Sequence, residues 1–329
     1  FSHMTIHTLN NQRITIFILS LLLFLSGCKS SKKVAEVPVK DESGYLLKVN
    51  MEKGDSFRYK QEIKQEITQS IMGMNNEMKQ NIGFGFEMMA VDEIAGRTKV
   101  KISYLSASYM MDNPMMQADF DSEKSMENVP DAALGAAALI GLSFYGYLND
   151  EGGLEDMEGL EEFKEGLIEN MRKINPEVNE VMIAAMQEQY NSDKMKESFS
   201  GLSAFYPKAR IEVGDSWNQK MTIKSSFAMD LDTDYTLDKV EEGKAYISVN
   251  SRLTTDPDSP LEMQGMLLTY AMEGDQIGET IVDLKTGMAV SSSVNQNVNG
   301  IMTMEGGQLP EPTEVPMGIK SVTTITLIK

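Results

Sequence analysis

The chain has 329 residues, with 49 Asp or Glu against 30 Lys or Arg, a net charge of −19, two histidines, one cysteine and 26 methionines. So acidic a surface repels nucleic acid and other polyanions. Both histidines, His3 and His7, precede the cysteine, Cys28, so a chain that starts there has no histidine and no second thiol for a Ser-His-Asp triad, a Cys-His pair, a histidine-ligated zinc or a disulfide.

The first element predicted is a leader. Arg13 supplies a basic residue, Ile14 to Leu25 an apolar run, and Ser26-Gly27 the small residues before Cys28. The run is short for a transmembrane helix, which needs about 20 apolar residues. Leu25-Ser26-Gly27-Cys28 resembles the lipobox of bacterial lipoproteins, which implies cleavage after residue 27 and acylation of Cys28. The only cofactor-like group expected is thus covalent lipid on Cys28. The chain opens with Phe1, which makes Met4 the expected start. Removing the leader with Arg13 leaves 29 basic and 49 acidic residues, a net of −20. Lys29 after the cysteine, with no acidic cluster beyond it, points by the same resemblance to the outer membrane, facing the periplasm. Residues 28–43, rich in Lys, Ser and Val, read as a flexible tether.

A repeat follows. Residues 48–64 align without gaps on 208–224, with eight of seventeen positions identical, including Gly54-Asp55-Ser56 and Gly214-Asp215-Ser216, each followed by an aromatic, Phe57 or Trp217. Repetition of this kind means one supersecondary unit used twice. Each copy reads as strand, turn, strand, with glycine free to take positive φ and aspartate free to bond the local backbone.

Past the first copy, residues 84–91 and 98–104 read as strands around Ala95-Gly96. Pro130 to Leu142 predicts a short buried helix, and residues 144–154 a hairpin. Leu160, Phe163, Leu167 and Met171 recur at helical spacing. Asn175-Pro176 reads as N-cap and N1 of a second helix carrying Val178, Val181, Met182, Ala185 and Met186, and Ser192-Asp193 as the cap of a third. Past the second copy, residues 235–240 and 245–249 flank Glu241-Glu242-Gly243, residues 279–284 and 288–295 flank Lys285-Thr286-Gly287, and Val322 to Ile328 closes the chain. The expected fold is α+β, mostly antiparallel sheet from two repeated β units forming an open or incomplete barrel with a central helical insertion. The expected segments are 1–27 leader, 28–43 tether, 44–150 first β repeat, 151–201 helical insertion and 202–329 second β repeat.

The Gly-Asp-Ser-aromatic turns, the 144–160 hairpin-to-helix stretch, Tyr235-Thr236-Leu237, Val282-Asp283-Leu284-Lys285-Thr286-Gly287 and Ser321-Val322-Thr323 together resemble an uncharacterised family of bacterial lipoproteins, a domain of unknown function. The resemblance covers the chain from about residue 45 onward and implies a fold, not a chemistry.

Four constellations remain. Asp230, Asp232, Asp234, Asp238 and Glu241 fall at positions 1, 3, 5, 9 and 12 of an EF-hand-like loop, with Tyr235 where glycine is needed. The same residues alternate with Leu231, Thr233, Tyr235 and Leu237, as in a strand with one wet face. The methionines cluster at Met72/Met74/Met78, Met88/Met89, Met110/Met111 and Met115/Met116, a pattern open to Cu(I) ligation, a deformable apolar ligand surface or ordinary packing. Asp55 and Asp215 could form a carboxylate pair across a cleft, although turn formation already accounts for both. Ser30 and Lys33 match a bare S-x-x-K spacing on the tether, without its partner motifs. The expected function is therefore a non-catalytic, membrane-anchored binder of a lipid or other hydrophobic ligand. The alternative is an envelope adaptor for protein or glycan, with a hydrolase third.

Overall fold

The computed structural model describes residues 44–71, 73–114, 116–149, 153–189, 206–224, 228–263, 266–306 and 311–328. The leader, the tether with Cys28, and the helix expected at Ser192-Asp193 lie outside the described residues.

The first copy of the repeat opens β1 (Ser56–Ile71), β2 (Met74–Ile94) and β3 (Arg97–Asn113), followed by β4 (Met116–Asp121), a 3-10 turn, α1 (Leu134–Ala138), β5 (Ser143–Leu148) and β6 (Leu154–Glu158). Helices α2 (Leu160–Ile174) and α3 (Glu180–Gln189) come next. The second copy opens β7 (Ser216–Lys224), β8 (Ala228–Glu241) and β9 (Lys244–Thr255), then β10 (Leu261–Met263), β11 (Met266–Asp283), β12 (Met288–Gly306) and β13 (Thr313–Leu327). All thirteen strands join one open antiparallel sheet in the order β6-β5-β3-β2-β1-β13-β12-β11-β9-β8-β7, with β4 on β3 and β10 on β11. The 21 residues of β2 span about 70 Å at a strand rise of about 3.4 Å per residue.

The order shows how the repeats sit in space. β6-β5-β3-β2-β1 and β12-β11-β9-β8-β7 are the same five-strand unit placed side by side, and β13 bridges them. The match reaches single bonds. In each Gly-Asp-Ser turn the glycine has φ near +96°, +96° at Gly54 and +97° at Gly214. The Gly54 N–H donates to Ala90 O at 2.8 Å and the Gly214 N–H to Leu237 O at 2.7 Å. Both units then bulge, between Ala90 and Asp92 and between Leu237 and Lys239. Each reverses through two positive-φ residues, Ala95-Gly96 and Glu242-Gly243, as a tight hairpin with right-handed twist demands. The β5–β6 turn, where Asn149 Oδ1 accepts the Gly153 N–H, matches the β11–β12 turn, where Asp283 Oδ1 accepts the N–H groups of Lys285 and Thr286.

Two boundaries differ from the sequence reading. Leu154–Glu158 is a strand of the sheet, so the helices begin at Leu160 and not at 151. Asn175 ends α2, its N–H donating to Met171 O at 2.9 Å, while its side chain accepts the Glu177 N–H. The N-cap of α3 is instead Asn179, whose Oδ1 accepts the Met182 N–H at 2.8 Å.

One face of the sheet is buried. On α2, Leu160, Phe163, Leu167 and Met171 form a buried stripe that packs on the inner face of β3 and β5, where Phe163 meets Tyr104 and Phe144 at ring-centroid distances of 6.1 and 5.6 Å. Burying each such aromatic contributes about 1.5–3 kcal/mol. A second cluster forms where residues 44–50 cross the β11–β12 turn. Leu47 packs with Tyr206, Leu237 and Ile247, and the Asn50 N–H donates to Thr286 O at 2.8 Å. The opposite face of the strands is polar, with Lys60, Lys64 and Glu66 on β1 and Glu273, Asp275 and Glu279 on β11 exposed. Strands that cross a bilayer carry the reverse pattern, an apolar band outward. Among the described residues no helix is long and apolar enough to cross a membrane.

Candidate functional site

The acids aligned as an EF-hand loop occupy an extended strand, β8, and residues 230–241 therefore stretch over about 37 Å. The alternation with buried Leu231, Thr233, Tyr235 and Leu237 turns the aspartates outward. Asp232 takes Lys220 at 2.8 Å and the Asn218 amide at 2.7 Å, Asp230 takes the Thr222 hydroxyl at 2.6 Å, Asp238 accepts the Ser248 hydroxyl, and Glu241 pairs with Lys239 at 2.8 Å. The Lys220 ammonium holds the Asp232 carboxyl below its usual range. Among the described residues no group of three or more His, Cys, Asp or Glu side chains is placed to hold a metal ion.

Asp55 and Asp215 stand six strand steps apart, about 29 Å along the sheet. Each carboxylate is engaged in its own turn, Asp55 Oδ2 by the Glu52 N–H and Asp215 Oδ2 by the Glu212 N–H, both at 2.8 Å. Met88/Met89 and Met110/Met111 are neighbours along strands, so each pair splits between the two faces. Met74 is 70% exposed, and Met72 and Met115 lie outside the described residues.

The site that emerges is the inner face of the second unit and of the strands beside it. Its cluster of sixteen residues contains seven methionines: Met272, Met302 and Met317 buried, and Met78, Met221, Met229 and Met304 partly buried, around Leu253, Tyr270 and Val298. Among the described residues only strands contribute to this cluster; α1, α2 and α3 pack on the first unit. Thioethers on flexible stems make such a surface adaptable.

Polar side chains run across this face in register. Gln80 on β2 is opposite Gln65 on β1, Gln65 is opposite Ser321 on β13, and Ser321 is opposite Gln296 on β12. Gln296 faces Gln276 on β11, Gln276 faces Ser251 on β9, Ser251 faces Thr233 on β8, and Thr233 faces Gln219 on β7. An apolar row flanks this belt on each side, one through Ile67, Ile319, Val298 and Leu253, the other through Ile63, Val294, Val249 and Tyr235. Some of the belt is satisfied internally, the Thr233 and Ser251 hydroxyls meeting at 2.8 Å and the Ser321 hydroxyl donating to Gln296 Oε1 at 3.2 Å. Other atoms have no partner: Oε1 of Gln65, Oε1 of Gln219, and both amide atoms of nearby Gln61, which is 0% exposed. Gln61 lies between apolar cross-strand neighbours, Phe84 and Ile325. A buried polar atom left unpaired costs about 1–3 kcal/mol.

Trp217 stacks on Tyr235 at 5.5 Å at one end of the second apolar row, and burial pushes the Tyr235 hydroxyl up to about 12. The groove between α2 and α3, about 500 Å³, is open and charged, its Arg172 paired with Glu180 and its Lys173 with Glu169. The sequence leaves Cu(I) ligation, a deformable apolar surface and ordinary packing open for its methionines and does not reveal the belt. Its signal is present in β1, where Gln61 and Gln65 alternate in step with Tyr59, Ile63 and Ile67.

These features define an open antiparallel sheet protein with a methionine-rich inner face. The chain belongs to a family of unknown function, DUF6263, whose model matches residues 95–289. No curated protein matches it. Among solved structures it is similar to a lipovitellin described for its lipid–protein interactions, at 8% identity and a TM-score of 0.43, over 85% of this chain and 26% of that one. The chain thus spans about a quarter of the length of that relative. It also matches an outer membrane channel of Pseudomonas putida F1 at 9% identity and a TM-score of 0.19, over 85% of this chain and 97% of that one. A third match is Salmonella typhi OmpF in complex with daunomycin, at 7% identity and a TM-score of 0.23, over 84% and 99%.

Proposed function

We propose that this protein is a lipoprotein, anchored through acyl chains on Cys28 to the outer membrane and facing the periplasm, that holds a lipid or another hydrophobic molecule against the inner face of its sheet without catalysing a reaction. The seven methionines gathered on strands that no described helix covers carry this reading. A core that only has to pack favours branched residues with fixed rotamers, whereas a surface that receives varied apolar shapes favours methionine. The anchor rests on Leu25-Ser26-Gly27-Cys28 after an apolar run. Two or more acyl chains, at about 0.8 kcal/mol per buried methylene, make such attachment stable. The polar outer face fits a domain that stands in water beside a membrane.

Mass spectrometry of the purified full chain tests both parts. Under denaturing conditions the anchor requires added acyl mass on Cys28; an unmodified thiol contradicts it. Under native conditions the binder requires a further, non-covalent lipid mass. A mass without that addition across several preparations would favour the adaptor.

A further inference from the structure

The inner face is not uniformly greasy, and its fully buried unpaired atoms are mostly acceptors. Four buried side-chain atoms on or beside the belt lack a partner, and three of them are acceptors: Oε1 of Gln61, Gln65 and Gln219, against a single donor, Nε2 of Gln61. No charged side chain is buried among the described residues; the buried polar groups are Gln, Ser and Thr. A carboxylate or phosphate placed here would meet those oxygen acceptors beside neutral amide N–H groups, with no buried cation among the described residues to offset its lost hydration. An ester or ether, which only accepts, would leave those three oxygens unpaired. A hydroxyl or a secondary amide both donates and accepts, and so matches this inventory.

We infer that the inner face selects a neutral amphiphile, an apolar chain bearing a hydroxyl or amide N–H that donates to the Gln61 or the Gln65 side-chain carbonyl while the chain lies along the apolar rows. This rests on the hydrophobic-ligand reading above and specifies its chemistry. Gln61 and Gln65 share one face of β1, about 14 Å apart at about 3.4 Å per residue. Both sit where the helix-covered core, through Tyr59 and Ile325, gives way to the methionine-rich cluster, through Ile67 and Ile319. A polar group on a bound chain therefore meets them as that chain reaches the end of the methionine-rich cluster.

The test is calorimetric titration of the full chain with three probes of one chain length: dodecan-1-ol, its methyl ether and laurate. The alcohol is expected to bind about tenfold more tightly than the ether, the ratio for one well-made hydrogen bond, and laurate more weakly still. Gln61→Leu and Gln65→Leu are expected to erase the preference while ether binding persists. Gln61→Met, closer in shape, gives the same comparison if the leucine variant does not fold. Equal binding of all three probes, unchanged in the variants, overturns the selectivity and leaves a purely hydrophobic site. Preference for laurate overturns it as well. Binding of none overturns the hydrophobic-ligand reading itself.

Discussion

Asp55 and Asp215 make the same hydrogen bond in two turns that stand six strands apart, each carboxylate taking the N–H of the glutamate three residues before it at 2.8 Å. This shared detail fixes the role of both residues: each closes the entry to a five-strand unit. Asp55→Ala and Asp215→Ala are each expected to cost about 1 kcal/mol. The double variant should show their sum, because the sites share no partner. Urea unfolding followed by Trp217 fluorescence measures both.

Glycines in the hairpin turns differ in what surrounds them. Gly243 and Gly287 both have positive φ, +74° and +66°, yet a Cβ on Gly243 meets nothing within 4 Å, while one on Gly287 falls 1.7 Å from Lys48 O. Gly243→Ala should cost about 1 kcal/mol from backbone conformation alone. Gly287→Ala should cost about 2–4 kcal/mol and free residues 44–50. Hydrogen exchange at Tyr45 and Asn50, whose N–H groups donate to Ile211 O and Thr286 O, reads that release.

Burial holds Tyr109 and Tyr235 as neutral phenols, each pushed up to about 12. The folded state binds their protons more tightly than the unfolded chain does. Their contribution to stability is therefore whole below pH 10 and is lost as pH rises toward about 12. Ultraviolet titration should show tyrosinate forming late at these sites. Tyr235→Phe should remove part of the late step and flatten the loss of stability on the alkaline side.

On the acid side the informative group is Glu87. Its burial alone would raise its pKa, but the bonds from Arg58 at 2.9 Å and Ser56 at 3.0 Å outweigh that and bring it below its ordinary value. The resulting stabilisation is present above the ordinary glutamate range and lost as pH falls through the lower folded value. It should amount to less than about 1 kcal/mol, since Arg58 is half exposed. Glu87→Gln should shrink the acid-side slope of stability in that window.

The parts of the fold written in local chemistry were legible in the sequence: the two Gly-Asp-Ser turns, the Val282–Gly287 hairpin and the Leu160, Phe163, Leu167 and Met171 stripe. The spatial plan was not, because the second half of each unit shares only turn geometry. Asn149 to Gly153 and Asp283 to Gly287 close equivalent hairpins with almost no residues in common. Asn175 looked like a helix start because an asparagine before a proline caps well, but its side chain is spent on a turn to Glu177. The belt stayed hidden because glutamine is mostly a surface residue. Only the register set Gln65 opposite both Gln80 and Ser321.

Methionine oxidation footprinting tests the account of the inner face most directly. Peroxide is applied to the full chain with and without saturating dodecan-1-ol, and each sulfoxide is quantified. Met221, Met229 and Met304, partly buried in the methionine-rich cluster, should be protected by the ligand, while Met74, 70% exposed, oxidises at an unchanged rate. Unaltered oxidation at all three, with the alcohol demonstrably bound, would place the ligand elsewhere and contradict a binding face built from these strands.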